Sequence, residues 1–401
     1  MKLTADGSNC ATSMPIYSPI GLRISQVTIV ESSGLPERVI ANNSIRFIAP
    51  NPSVLPSGWD VGQPLVELTE SGLYCSAGGF YIDPWKPVDR AVITHAHSDH
   101  ARWGCQTYLA ADPGRRLLDV RVGPADISTL PYGQPVQHQG VTLSFHPAGH
   151  VLGSAQVRLE RDGEIWVITG DYKLERDPTC TPFEPVRCHT FITESTFALP
   201  VYRWEPPEVL FAGVNAWWRA NRDAGKASII YAYSLGKAQR VMAGVDASIG
   251  PIFTHGAVEK LTKAYRESGV ELPPTTAVGE AASGGKKAWA GSLIIAPPSA
   301  DGSPWVKKFE PASSAVASGW MQVRGARRRR AMDRGFILSD HADWPGLLSA
   351  IAATGATRVL ATHGFASVLA RYLREHGTDA DVIVTRFGDE EEPQTPEAEP
   401  S

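Results

Sequence analysis

The stretch Thr94-His95-Ala96-His97-Ser98-Asp99-His100 constrains this chain more than any other, because it puts four potential metal ligands within six residues, where the strand-like run Val88 to Ile93 stops. Imidazole and carboxylate ligands at this density suit a borderline divalent ion such as zinc. His95 and His97 are two apart, so in extended backbone they project to the same side and can share one ion. Asp99 and His100 lie just beyond, where the chain must turn, free to aim at a second ion. The bland alternative is a polar, solvated loop. The chain holds eleven histidines, and the fold must bring some of the others to this cluster.

With 401 residues, 43% of them hydrophobic and 20% charged, the chain has the composition of a soluble globular protein of two or three domains. No apolar stretch reaches the length of a membrane span, and the first residues lack a charged-then-apolar signal pattern, so a cytoplasmic protein with no membrane partner is expected. The five cysteines are odd in number and irregularly spaced, as for free thiols in a reducing compartment. Net charge is −4, so a nucleic-acid partner would require a local positive strip.

Residues 1–63 are rich in Ser, Pro, Asn and Gly and read as an extension, partly ordered at best. Gly72–Cys75 and Phe80–Asp83 are expected to form hairpin strands. Asp83 stands before Pro84, either to orient a ligand histidine or to make a turn. Thereafter short apolar strands end repeatedly in one polar residue. Val141–Phe145 leads to His150 on a Gly-flanked loop, Ile165–Ile168 to Asp171, and Phe191–Thr193 to Glu194. A lone Asp after a strand is commonly a helix cap, but the recurrence favours a shared site.

After Pro206, helix and strand alternate, so a parallel sheet is expected over about a hundred residues. Ser234 and Lys237 open a helix that also carries Arg240; a helix N-terminus is a natural anion site, although capping explains Ser234 equally well. Arg324, Arg327, Arg328 and the two arginines that follow form the one dense basic segment, read either as a phosphate-binding strip or as a solvated edge. Phe336–Leu338 then runs into Ser339-Asp340-His341-Ala342-Asp343, and Arg358–Ala361 into Thr362-His363-Gly364. The last residues, acidic and Pro-rich, read as a disordered tail.

Together these residues resemble the metallo-β-lactamase superfamily and, within it, the β-CASP nucleases. HAHSDH at 95–100 matches the superfamily's histidine-rich motif, His150 the third motif and Asp171 the fourth. Glu194, His341 in SDHAD and His363 in THG match the three motifs that mark the β-CASP branch, and SLGKAQR at 234–240 matches its insert. GLYCSAGGFYIDPW, SGWMQVRGARRRR and ILSDHADW look like the bacterial ligase-associated DNA exonucleases.

The resemblance implies an α/β fold, a metallo-β-lactamase αββα sandwich interrupted by a β-CASP α/β insert. The core would occupy 64–200 and 331–388, the insert 201–330, and an acidic tail 389–401. It implies two zinc ions per chain, one on His95, His97 and His150, the other on Asp99, His100 and His363, with Asp171 bridging. His341 would protonate the leaving alkoxide and Glu194 fix its tautomer, with Asp99 and Asp171 completing the catalytic group. Ser234, Lys237, Arg240, Arg324, Arg327 and Arg328 are the expected substrate contacts. The implied activity is a DNA exonuclease of repair, working in functional association with a DNA ligase and a helicase. The alternative is an RNA-processing nuclease of the RNase J or mRNA 3′-end type, because a histidine at the position of His363 is associated with RNA-cleaving members. A small-molecule hydrolase fits the large insert and arginine run poorly, and an inactive scaffold fits a complete ligand set poorly.

Overall fold

Short strands with apolar inner faces build the first two layers. The computed structural model describes residues 64–281, 286–323 and 332–384. The N-terminal extension, Arg324, Arg327, Arg328 and the acidic tail lie outside the described residues. Strands β1 (Glu67–Thr69), β2 (Gly72–Cys75), β3 (Phe80–Ile82), β4 (Arg90–Val92), β5 (Thr107–Ala111) and β6 (Asp126–Leu130) form a six-stranded sheet in chain order. β2 and β3 are the antiparallel hairpin read from the sequence, and from β3 onward neighbours run parallel. Helix α1 (Arg115–Val122) lies in the crossover from β5 to β6.

The second sheet begins with β7 (Val136–His138), β8 (Val141–Pro147), β9 (Ala155–Arg161), β10 (Glu164–Ile168) and β11 (Thr190–Glu194). Leu143, Phe145, Val157, Leu159, Ile168 and Ile192 from this sheet pack against Cys75, Phe80, Ile82 and Val92 of the first. Burial of these facing apolar rows is the main force holding the sheets together. β11 is buried at every position, as a strand covered on both faces must be, and its last residue is Glu194.

The chain then leaves this sheet. Helix α2 (Pro207–Asp223), β12 (Ala227–Tyr231), α3 (Lys237–Gly244), β13 (Ile252–Thr254), α4 (Gly256–Glu267), β14 (Thr276–Ala277), β15 (Leu293–Ala296), β16 (Ala312–Ala317) and β17 (Arg334–Phe336) follow. Their strands make a third sheet, ordered β14-β13-β15-β12-β16-β17 and parallel throughout, as the alternation predicted. Leu210, Val214 and Trp218 of α2 cover one of its faces over Ile230 and Ile295. Trp289 and Phe309 cover the other over Ile229 and Ile294.

The chain returns through α5 (Trp344–Thr354), β18 (Arg358–Thr362), α6 (Ala366–Glu375) and β19 (Asp379–Val382). β18 lies parallel to β11 with Glu194 opposite Thr362, so the third sheet is inserted between two adjacent strands of the second. Leu347, Ile351, Leu369 and Leu373 pack on Val167, Phe191 and Val359 outside the second sheet, while Leu118 of α1 packs on Ile93 and Tyr108 outside the first. The layers therefore run helix, sheet, sheet, helix, with an α/β insert. No described helix is long and apolar enough to cross a membrane.

Candidate metal centre

The loops that follow β4, β8 and β10 bring His95, His97, His100, His150 and Asp171 to one place. Ala101 donates its N–H to the carbonyl of His97 at 2.8 Å, a turn that swings His100 back toward the other ligands. His97 Nδ1 lies 3.0 Å from His95 Nε2 and 3.1 Å from His150 Nε2. Asp171 Oδ2 sits among them, 3.4 Å from His95 Nε2, 3.5 Å from His100 Nε2 and 3.6 Å from His150 Nε2.

Each imidazole directs its other nitrogen at an acceptor. His100 Nδ1 donates to Asp83 Oδ2 at 2.7 Å. His95 Nδ1 meets Thr94 Oγ1 at 3.1 Å, and that hydroxyl donates to Asp83 Oδ2 at 2.6 Å. His97 Nε2 donates to the carbonyl of Leu235 at 3.2 Å, and His150 Nδ1 to the carbonyl of Asp340 at 2.7 Å. These partners assign the tautomers. The nitrogens that face one another across 3.0 Å therefore present lone pairs, which repel unless a cation lies between them. Tetrahedral nitrogen and oxygen ligands at about 2.0–2.1 Å from a zinc-sized ion stand about 3.3–3.4 Å from each other. Separations of 3.0 to 3.6 Å bracket that value, so the residues fit a divalent ion. Asp83 is thus an orienting carboxylate, one of the two roles its sequence position allowed.

The electrostatics point the same way. Burial holds His95 and His150 well below the usual imidazole range and lowers His97, favouring the neutral ligand form. Burial alone would raise Asp171, but the imidazoles around it, His100 foremost, hold it well below the carboxylate range. His100 is the opposite case. Its burial is outweighed by Asp171, Asp99 and Asp83, which raise it well above the usual value. Three carboxylates converging on one imidazole leave a surplus of negative charge that suits a second cation.

The second set is looser. Asp99 Oδ2 is 3.6 Å from His100 Nε2, and the His100 and His363 rings are 5.7 Å apart between centroids. A cavity of about 40 Å³ is bounded by Asp83, Asp99, His100, Gly170 and His363, enough for an ion or a water molecule. His363 adopts φ 57°, uncommon for a side-chain-bearing residue, and its carbonyl accepts from Ser195 Oγ. Among the described residues, groups of three or more ligand atoms within 4.8 Å of one another are His95, His97, His150 and Asp171, and Asp171, Glu194 and His341.

In that second group Glu194 is fixed at both oxygens. Oε1 accepts the N–H of Tyr172 and Oε2 accepts His341 Nδ1–H, each at 2.8 Å. That leaves Nε2 as the His341 ring nitrogen not engaged by Glu194. Burial would lower His341, but the Glu194 and Asp171 carboxylates lift it to about 9. Its backbone is equally constrained: Trp204 Nε1 donates to its carbonyl at 2.9 Å. Two residues on, Asp343 caps α5 by accepting from Gly346 N at 2.9 Å.

Of the expected substrate contacts, Lys237 and Arg240 are not presented to solvent. The helix begins at Lys237 rather than Ser234, because Gly236 takes φ 86°. Lys237 and Arg240 then point inward, 5% and 6% exposed, into a buried ion network. Lys237 Nζ lies 3.7 Å from Asp340 Oδ2, and Arg240 lies 3.5 Å from both Asp340 and Asp177. Lys173 completes it at 2.6 Å from Asp177. Their charges are thus held by buried countercharges rather than presented at the surface. Ser234 remains half-buried, three residues from Lys237. Asp340, Asp177 and Lys173 were not singled out from the sequence; the one signal was Asp340 beside His341.

Gly170 allows Asp171 to reach the site. At φ 55°, an added Cβ would stand 2.4 Å from Thr94 Oγ1, the hydroxyl that orients His95. Gly170→Ala is therefore expected to lower stability by about 1–3 kcal/mol from backbone strain alone, with weakened metal retention. Urea unfolding and metal analysis of the variant check both.

Fold and site together define a metallo-β-lactamase sandwich with a β-CASP insert, and the relatives of this chain include β-CASP nucleases of that superfamily. No family model matches the chain. It is 33% identical over 318 residues to a "Probable DNA ligase" of Opitutus terrae, covering 78% of this chain and 30% of that protein. It is 26% identical over 168 residues to "Endoribonuclease YSH1" of Yarrowia lipolytica, covering 39% of this chain and 20% of that protein. An "RNase J-like protein" of Methanocaldococcus jannaschii is 24% identical over 211 residues, 45% of this chain and 50% of that one. The chain thus spans half or less of the length of these relatives. A crystal structure of a protein of unknown function from Enterococcus faecalis V583 shares the fold, with TM-score 0.51 and 11% identity over 75% of this chain and 80% of that one.

Proposed function

We propose that this chain is a zinc-dependent phosphodiesterase that removes nucleotides from the ends of DNA, as a repair exonuclease. The observation that carries the reading is the facing of unprotonated ring nitrogens around Asp171, with the His341–Glu194 pair beside them. His95, His97, His150 and Asp171 would hold one ion, and Asp99, His100, His363 and the same Asp171 the other. When bound, such a pair supplies Lewis acidity and lowers the pKa of a water molecule. Glu194 holds the Nδ1–H of His341, which leaves Nε2 to give its proton to the departing oxygen. In this reading residues 64–200 and 331–388 form the catalytic core, and 201–330 a substrate-facing insert.

DNA is favoured by the ligase-named relative, which matches over more of the chain than the relatives named for RNA. The same relative is the ground for a functional association with a DNA ligase, to which the reading adds a helicase and a cytoplasmic location. The RNA reading draws on the endoribonuclease and RNase J-like names and on the presence of His363. The test is a time course on end-labelled single- and double-stranded DNA and RNA, with and without chelator, on protein of measured metal content. The expected result is about two zinc ions per chain, stepwise chelator-sensitive shortening of DNA and little attack on RNA. Faster RNA cleavage would transfer the assignment to RNA processing, and full activity in chelator would overturn it.

A further inference from the structure

The four histidines of the loop cluster are anchored from two different parts of the chain. His95 and His100 are held through Asp83, at the end of β3 in the first sheet. His97 and His150 are held by main-chain carbonyls that belong to the insert and to the segment returning from it, those of Leu235 and Asp340. Leu235 stands just before α3, and Asp340 just after β17.

A main-chain carbonyl orients a ligand only as firmly as its own backbone is fixed. Asp340 is fixed by its side chain, 4% exposed, which takes Lys237 and Arg240 of α3 at 3.7 and 3.5 Å. Arg240 also donates to the carbonyl of Ser339 and reaches Asp177, whose partner Lys173 lies two residues after Asp171. Three buried cations and two buried carboxylates thus tie α3 to the backbone on either side of the ligand set. A solvated arrangement of the same charges would fix nothing, since exposed pairs contribute little.

We propose that Asp340 and Arg240 are positioning residues for the metal position made by His95, His97, His150 and Asp171, so that the insert sets how tightly that position holds its ion. The inference rests on the metal-binding part of the reading above and is independent of the polymer cut. Second partners of metal-binding histidines are worth about 10–100-fold in metal affinity. Asp340→Asn keeps the carbonyl that faces His150 but releases the Lys237 and Arg240 charges. It is expected to weaken one of two zinc ions by about 10–100-fold in competition with a chromophoric chelator, while the other is held as in the wild type. Cobalt substitution should show the same split as a changed visible spectrum for the weakened ion only. Arg240→Gln should act likewise, and Arg240→Lys should recover part of the loss.

Because Asp340→Asn leaves buried cations short of a countercharge, it can fail to fold. The double variant Arg240→Gln with Asp340→Asn removes one charge of each sign and serves as the second arm. His363→Ala, on the other ligand set, should weaken the other ion and so identifies which position responds. Unchanged affinity in folded Asp340→Asn and in the double variant would overturn the proposal, as would equal weakening of both ions, the mark of a general loss of stability. A wild-type protein that binds no zinc would instead overturn the metal reading itself.

Discussion

Asp171→Asn is expected to reduce phosphodiester hydrolysis to background and to lower bound metal from about two ions per chain to one or fewer. Its Oδ2 is the atom to which His95, His100 and His150 all converge, within 3.4 to 3.6 Å. A carboxamide of the same shape keeps the packing but loses the charge that balances the ions. It also presents an N–H to ring nitrogens, or its weaker oxygen, in place of a carboxylate. The side chain is buried and its neighbours are ligands rather than core apolar residues, so the fold should survive, and unchanged circular dichroism would separate a missing ion from a missing fold. Activity and metal content both near wild type would show that Asp171 does not join the two ligand sets.

His341→Ala should give the complementary result. Both ions stay, and the rate falls by about 10²–10⁴, as for loss of a general acid. His341 Nδ1 is committed to Glu194 at 2.8 Å, which is why the proposed reading gives His341 a proton to move rather than an ion to bind. A substrate whose leaving group needs no protonation should recover much of the lost rate in His341→Ala and little of it in His363→Ala. Absence of rescue would mean that His341 positions the substrate instead.

Most of the residues gathered around Asp171 were legible in the sequence because they are local signals, bunched after β4 or standing alone where an apolar strand ends. Hairpin β2–β3, helix α2 and the parallel strands of the insert followed from period and turn residues in the same way. The unit β5–α1–β6 was not read, because Thr107–Ala111 and Asp126–Leu130 alternate weakly and α1 is short. β16, with the sequence ASSAVA, is built of small residues that look like a loop until neighbouring strands bury them. The burial of Lys237 and Arg240 is illegible in the sequence for a different reason. A cation at a helix start looks available to phosphate until one knows that Asp177 and Asp340, more than 60 and about 100 residues away, fold against it. Pairing of distant charges leaves no local trace, whereas strand ends do.

The placement of β18 beside β11 sets an order of events in folding. Ser195 and His363, which touch in the finished protein, are 168 residues apart in the chain. Closing a flexible loop of that length costs about 4–5 kcal/mol in entropy before any contact between its ends repays it. An insert that has already formed its own parallel sheet shortens that loop, so the insert should collapse first and β18 dock afterwards, in a slow step typical of long-range strand pairing. Glu194, His341 and His363 belong to the two edges of this last joint. Until that joint closes, Glu194 has no Thr362 opposite it and His363 has no Ser195 to hold its carbonyl, so the side of the centre around His363 is the last part to assemble.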